Sequence, residues 1–238
     1  MRLECFADVR HVRGTDSWKR LWGVWPRFMD HDPVANEYFP RVREELAELQ
    51  LVLLAGDEVL AHANTIPVAW DGTPEPRGVD WALENGFGGE EPTTLCALQV
   101  MIQPEAQGRG LSRVVLEGMI ALAREHGFDA LIAPVRPTLK HRYPLTPIER
   151  FVEWRREDGQ FLDPWLRTHE RLGAELLAPA PESMTIPGTV AEWEEWTGLA
   201  FPDSGEYVVE GALVPVRVDR GSDRGLYVEP NVWMRHGV

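Results

Sequence analysis

Apolar residues recur along this chain in two rhythms, and the rhythm changes where the elements change. Trp18, Leu21, Trp22 and Trp25 fall at helical spacing behind Asp16 or Ser17 as a cap and stop at Pro26; Phe39, Val42, Leu46 and Leu49 predict a second helix over residues 36–49. Residues 3–9 give a weak opening strand. Residues 50–55 and 59–70 read as two strands joined at Gly56-Asp57, a hairpin, and residues 71–92, rich in Gly, Pro and Glu, read as an irregular excursion. The continuous apolar run over residues 93–102 predicts a strand buried on both faces, stopped by Pro104. An amphipathic helix follows over residues 111–126 with Gly127 placed to end it, then a second buried strand over residues 129–135. Helical stretches at 147–156 and 164–171 precede strands around Leu176 and over 184–186, 207–218 and 227–233, with a short acidic helix at 189–196. That order predicts a mixed α/β sandwich around one central strand–loop–helix unit.

Composition narrows the class. With 238 residues, 44% apolar and 26% charged, the chain is long for one compact α/β domain and short for two. The expectation is one domain over residues 1–238, with a core over about 1–187 and an extension over about 188–238. No apolar run nears the roughly 20 residues that cross a bilayer, and Met1-Arg2-Leu3-Glu4-Cys5 carries no apolar leader core. A cytoplasmic protein without a membrane partner is therefore expected. Cys5 and Cys96 are too few for a disulfide framework or a tetrathiolate site and are expected as reduced thiols. Asp30-His31-Asp32 has no second ligand set, so no metal is expected.

The net charge of −14 argues against a nucleic-acid partner. The charge is nevertheless uneven. Residues 109–142 hold six basic side chains against three acidic ones, whereas residues 182–210 hold seven carboxylates and no Lys or Arg. A local positive excess in an acidic chain marks where an anion would sit.

That excess begins at an element boundary, Val100-Met101-Ile102-Gln103-Pro104-Glu105-Ala106-Gln107-Gly108-Arg109-Gly110-Leu111-Ser112. A buried strand ends, a Gly-containing turn follows, and a helix starts at once. The free N–H groups of a first helical turn and the helix dipole attract negative charge. Gly108 and Gly110 let the backbone curl close to a ligand, Arg109 and Arg113 add full charges, and Ser112 adds a hydroxyl donor. The set suits a pyrophosphate, although an ordinary strand-ending Gly turn has the same local pattern. It is not a P-loop, because no Gly-Lys-Ser/Thr follows, and the Gly-x-Gly-x-x-Gly dinucleotide spacing is absent.

The segment resembles the pyrophosphate loop of the GCN5-related N-acetyltransferase (GNAT) superfamily, which runs Gln/Arg-x-x-Gly-x-Gly/Ala. Gln107-Gly108-Arg109-Gly110-Leu111-Ser112 meets five of the six positions, with Ser112 where the family has Gly or Ala. The resemblance is sharp over residues 98–135 and extends in element order over about 1–187. It implies a GNAT-like, mixed, mostly antiparallel α/β sheet with a central strand–pyrophosphate loop–helix unit, here with extra C-terminal strands. It also implies acetyl-CoA or another acyl-CoA as co-substrate, in a V-shaped gap between the strand ending at Ile102 and the one ending near Val135. Val100 and Ile102 would offer backbone groups to the pantetheine and acyl carbonyl. Gln107, Gly108, Arg109, Gly110, Leu111, Ser112 and Arg113 would hold the pyrophosphate. The implied reaction is acyl transfer to a small-molecule amine by direct attack in a ternary complex, since no Cys or Ser is set beside a base. Acyl-CoA binding without transfer, and other thioester chemistry such as decarboxylation, are the alternatives.

Two departures from the family pattern bear on catalysis. Family members place a Tyr four residues before the Gly of a Tyr-x-x-x-Gly-Phe-like run, where its hydroxyl protonates the leaving thiolate. Here His169 stands four residues before Gly173 and is the candidate general acid, with a packed, inert histidine as the alternative. The second departure is an insert over residues 138–163, which holds Lys140-His141-Arg142, Tyr143 and Glu149. Tyr143 is the fallback proton donor, and the insert could line an acceptor pocket, clasp the CoA phosphate or pad the fold. Glu37, Tyr38, Asn64, Glu90 and Glu91 are candidate acceptor contacts or solvated surface groups. The extension could cover the acceptor side, with Trp193, Trp196 and Trp233 packing that layer. The sequence is compatible with a homodimer.

Overall fold

The computed structural model describes residues 1–238. The chain runs β1 (Arg2–Cys5), α1 (Asp16–Lys19), α2 (Pro33–Glu45), β2 (Leu51–Ala55), β3 (Glu58–Val68), α3 (Gly78–Gly86), β4 (Thr94–Ile102) and α4 (Leu111–Glu125). It continues through β5 (Ala130–Val135), α5 (Ile148–Phe151), α6 (Pro164–Arg171), β6 (Glu175–Gly188), α7 (Val190–Thr197), β7 (Gly205–Tyr207), β8 (Val216–Asp219) and β9 (Arg224–Gly237). The strands form one nine-stranded sheet in the order β1-β2-β3-β4-β5-β9-β8-β7, with β6 paired to β9. Only β4 and β5 run parallel; every other pair is antiparallel. This is the mixed, mostly antiparallel sheet with extra C-terminal strands that the sequence implied.

Helices cover both faces of the sheet. The α4 stripe Leu111, Val115, Met119 and Leu122 packs with Leu95, Ala97, Leu131 and Ala133 on one face. Val42 of α2 and Val79, Ala82 and Leu83 of α3 pack with Cys96, Ile132 and Trp233 on the other. The alternation Leu95, Cys96, Ala97 across these two cores is the double burial expected of the apolar run.

Several elements differ from expectation. The helical spacing from Trp18 to Trp25 yields only the single turn of α1 followed by 3₁₀ backbone, and the stretch at 147–156 shortens to α5. Helix α3 lies inside the segment read as irregular; glycines at both its ends and the absence of a side-chain cap hide the Val79, Ala82, Leu83 stripe. The two strands expected around Leu176 and 184–186 are one strand, β6, with extra residues looped out between Ala180 and Met184. The strand expected over 207–218 is absent as such: β7 ends at Tyr207, residues 208–215 hold no strand, and β8 starts at Val216.

The extension has its own core, in which Trp193 packs against Phe28 and Tyr227 beside Ile186, Phe201 and Val216. Trp196 flanks it, stacking on His31 at 4.0 Å. Trp233 does not belong to this layer: it packs in the central core, with Nε1 donating to Glu75 O at 2.6 Å. Gly225 is required opposite Trp193, because a Cβ there would lie 2.1 Å from the indole Cδ1. Trp193→Ala should therefore cost about 3–5 kcal/mol in chemical denaturation, a loss that a rim position such as Trp196 should not reproduce.

Candidate active site

The pairing of β4 with β5 is two residues long, Leu95 with Leu131 and Cys96 with Ile132. Beyond it the strands part. The cause lies on the other side of β4: Asn64 of β3 faces Gln99 and Thr65 faces Ala97, so Leu98 is an extra residue, a β-bulge that bends the strand. Past the bulge, Gln103 N donates to Leu60 O at 3.0 Å, and Leu60 is opposite Gln103 in the continued register. Alternation in an antiparallel ladder then turns the N–H groups of Gln99 and Met101 toward β3 and those of Val100 and Ile102 into the gap. Leu98, Gln99, Val100 and Ile102 keep partial exposure in the middle of the sheet.

At the mouth of the gap the chain turns into α4. Gln107 Nε2 donates to Ile102 O at 3.2 Å, folding the loop back onto the strand end. Gly108 and Gly110 have φ of +72° and +75°, the left-handed region. Gly110 is the N-cap and supplies no side-chain acceptor; Arg113 N donates to Gly110 O at 3.2 Å, and the N–H groups of Leu111 and Ser112 at the start of this 15-residue helix have no backbone or side-chain acceptor. Leu111 is buried, whereas Arg109, Ser112 and Arg113 lie at or near the surface, with Arg113 paired to Glu117 at 2.9 Å. All seven loop residues thus converge on one helix start, adjoining the strand that carries Val100 and Ile102.

His169 lies elsewhere. It is 1% exposed on α6, and its Nδ1 is 2.9 Å from Nε2 of His236 on β9. His236 pairs with Leu131, at the closed end of the gap. Leu131 faces Leu95, five residues before Val100, which is roughly 16 Å along a strand. Burial first, and the neighbouring His236 second, hold the His169 imidazole well below its ordinary range. Tyr143 is 40% exposed, its ring against Phe151 and Trp154.

The insert is fastened rather than free. Buried Lys140 donates from Nζ to Tyr143 O at 3.0 Å and Leu213 O at 2.6 Å, and burial lowers its pKa to about 8. Glu149 lines a groove of about 540 Å³ with Glu182, Glu206 and Arg217. Of the candidate acceptor contacts, Glu37, Glu90 and Glu91 are exposed, Tyr38 stacks on Phe87, and Asn64 alone is fully buried. No group of three or more His, Cys, Asp or Glu side chains converges to hold a metal, and no helix is long and apolar enough to cross a membrane.

The sheet face opposite α4 holds polar groups that the sequence reading did not place at the site; of these only Asp32 figures in it, as part of a metal cluster that is set aside. Arg136, directly after β5, donates from Nε to both Glu229 oxygens at 2.9 and 3.0 Å. Tyr227 Oη donates to Glu229 at 2.8 Å. Asp80 Oδ2 accepts from Thr185 N at 3.1 Å, and Asp32 Oδ1 caps α2 through Ala35 N at 2.8 Å. Burial raises Asp80 to about 8, with the Asp32 charge adding to it, and burial raises Asp32 to about 6. The signal for Asp32 was present as Asp-Pro at a helix start; Asp80 was concealed with α3.

A parallel strand pair that separates at a bulge and runs into an uncapped helix start is the strand–loop–helix arrangement that the sequence resemblance implied. No protein-family model matches the chain. It is 34% identical over 248 residues to the arginine N-acetyltransferase avaD of Aspergillus versicolor, covering 90% of this chain and 86% of that protein. Among solved structures it resembles the loading GNATL domain of CurA from Lyngbya majuscula, at a TM-score of 0.66 and 18% identity over 99% of this chain and 96% of that one. The GphF GNAT-like decarboxylase in complex with isobutyryl-CoA aligns at a TM-score of 0.51 and 15% identity, over 83% and 82%. The chain belongs to the GCN5-related N-acetyltransferase superfamily.

The buried carboxylates make a prediction about stability. A folded-state pKa raised above the ordinary 3.8 means that the native protein binds more protons than the unfolded chain, so stability present at acid pH is lost as pH rises toward about 8. Asp80→Asn removes that loss. Melting curves should show the variant stabilised over the parent at pH 8 and nearly matched to it at pH 4.

Proposed function

We propose that the protein transfers an acetyl group from acetyl-CoA to a primary nitrogen of arginine or an arginine-like small molecule. The observation that carries this reading is the free backbone edge of β4 running into the uncapped start of α4. A chain 34% identical to an arginine N-acetyltransferase supplies the acceptor.

In this reading the N–H groups at 108–112, with the Arg109 and Arg113 side chains, bind the CoA diphosphate. The Val100 and Ile102 edge pairs with the pantetheine arm, and an N–H of that edge polarises the thioester carbonyl, stabilising the oxyanion formed on attack. The acceptor nitrogen arrives from the face opposite α4. Its lone pair forms the N–C bond, the C–S bond breaks with its electron pair on sulfur, and the nitrogen releases one proton to solvent water. CoA leaves as a thiolate, a far better leaving group than an alkoxide or an amide anion, so its protonation by the protein is not obligatory. Burial keeps the His169 imidazole in its neutral form, without the imidazolium proton a general acid would give up, and it sits at the closed end of the gap, so we assign it, with His236, to packing between α6 and β9. Tyr143 stays the candidate acid.

Calorimetry with acetyl-CoA and thiol release with arginine test this reading. Gly110→Val forces a β-branched residue into the left-handed region, at a cost of about 1–3 kcal/mol, and should weaken acetyl-CoA binding at least about tenfold. Unchanged affinity would remove the loop from the site. His169→Gln should keep kcat within about threefold of the parent; a loss near a hundredfold, the scale of general acid catalysis, would restore the histidine to the chemistry. Tight CoA binding with no amine-dependent thiol release would identify a binder, and carbon dioxide release from malonyl-CoA a decarboxylase.

A further inference from the structure

Beside the bulge in β4, two cross-strand neighbours on the face opposite α4, Asn64 and Gln99, each carry a buried side-chain oxygen with no partner within the protein. One belongs to Asn64. Gln50 fixes its orientation: Gln50 Nε2 donates to Leu46 O at 2.7 Å and Thr65 O at 3.0 Å. Its Oε1 accepts from Thr65 N at 3.0 Å and from Asn64 Nδ2 at 3.0 Å. Turning the Gln50 amide over would set its NH₂ against a backbone N–H and its oxygen against two carbonyls, so the assignment is forced by the network. Asn64 must therefore give its NH₂ to Gln50. Its Oδ1 is left buried and unpaired on a side chain with no exposure.

The second oxygen is Gln99 Oε1, also buried without a partner. Asn64 and Gln99 are direct cross-strand partners, which puts their Cβ atoms about 5 Å apart on the same face. Gln99 stands immediately after the bulged Leu98 and immediately before Val100, whose N–H turns into the gap. Folding gives Gln99 no hydrogen-bonded role: an apolar residue of its shape would suit mid-strand at least as well.

We propose that Asn64 Oδ1 and Gln99 Oε1 form a two-acceptor clamp for the attacking nitrogen, selecting an acceptor whose nucleophile carries two N–H bonds. This rests on the acetyl transfer proposed above and adds the group that is read. A neutral primary amine, such as the α-amino group of arginine, has two N–H donors and a free lone pair. With both held by the two oxygens, the lone pair is left to face the thioester carbon presented from the Val100 edge. A hydroxyl or a neutral secondary amine has a single hydrogen and leaves one oxygen unpaired, which a site built for hydrogen bonding penalises.

The test uses the full chain, acetyl-CoA, a panel of primary amines beginning with L-arginine, and the N-methyl form of whichever amine is acetylated. Gln99→Met keeps the size and removes the oxygen; Gln99→Asn keeps a neutral amide oxygen on a shorter arm. For Gln99→Met we expect KM for the amine to rise at least about tenfold, the preference for primary over N-methyl amine to fall toward one, and acetyl-CoA affinity by calorimetry to stay within about twofold. Gln99→Asn should recover part of the amine kcat/KM. Melting temperature separates this from unfolding, since Gln99→Met should melt at or above the parent. An unchanged amine KM and an unchanged primary-amine preference in Gln99→Met overturn the clamp while leaving acetyl transfer intact. If the parent binds no acetyl-CoA or acetylates no amine, the proposed function falls and the clamp falls with it.

Discussion

The structure depends on a pairing that stops. β4 and β5 share two residue pairs and then part, in the centre of a nine-stranded sheet. Backbone N–H and C=O groups are obligatory hydrogen-bonding groups, and leaving them unpaired away from water is costly enough that folded proteins rarely do it. Here the separation is imposed by one extra residue, Leu98, on the β3 side of the strand. β5 keeps its other edge fully paired with β9 over residues 130–135. The sheet is therefore continuous on both sides of an internal slot, which presents the unsatisfied strand edge without exposing a whole sheet margin to aggregation.

The remaining elements fix the shape of that slot. α4 begins where β4 ends, and Gln107 returns to Ile102, so the helix start cannot drift from the strand. On the other arm, Arg136 follows Val135 at once and is locked to Glu229 and to Gly211 O at 2.7 Å. Removing one partner of a buried pair like this leaves an uncompensated charge, at a cost of about 3–5 kcal/mol, so the network resists movement whatever its net contribution to stability. The extension thus reaches the core: Glu229, Tyr227 and Leu213, all beyond residue 188, hold the end of β5.

What could be read from the sequence follows from range. The strand, loop and start of α4 were legible because a continuous apolar run, two glycines and a helical stripe are local signals. α3 was not, since its stripe is bounded by Gly78 and Gly86 in a Pro- and Gly-rich stretch. His169 had the family position but not the family environment, because its partner His236 comes from 67 residues away. The bulge was equally invisible: a run of apolar residues does not say which of them its neighbour strand will skip. Trp233 was assigned to the wrong layer because β9 serves both the central sheet and the extension, and chain position alone does not divide it.

Charge and neutrality are divided between the two sides of the sheet in a way that suits acyl transfer. The chain carries −14 overall, yet the loop that starts α4 holds Arg109 and Arg113, a local field of the sign a diphosphate needs. On the opposite face, carboxylates are present but muted: Glu229 is matched by Arg136, and Asp80 and Asp32 are raised by burial toward their neutral forms. A bare carboxylate beside the thioester would hold an amine as ammonium, the form without a lone pair. Amide oxygens such as those of Asn64 and Gln99 accept N–H donors without stabilising that extra proton to the same degree. A nitrogen nucleophile meets fewer obstacles to deprotonation on a face whose charges are already paired or suppressed, and this argues that the burial of the acidic groups beneath α2 and α3 is part of how the acceptor side is built.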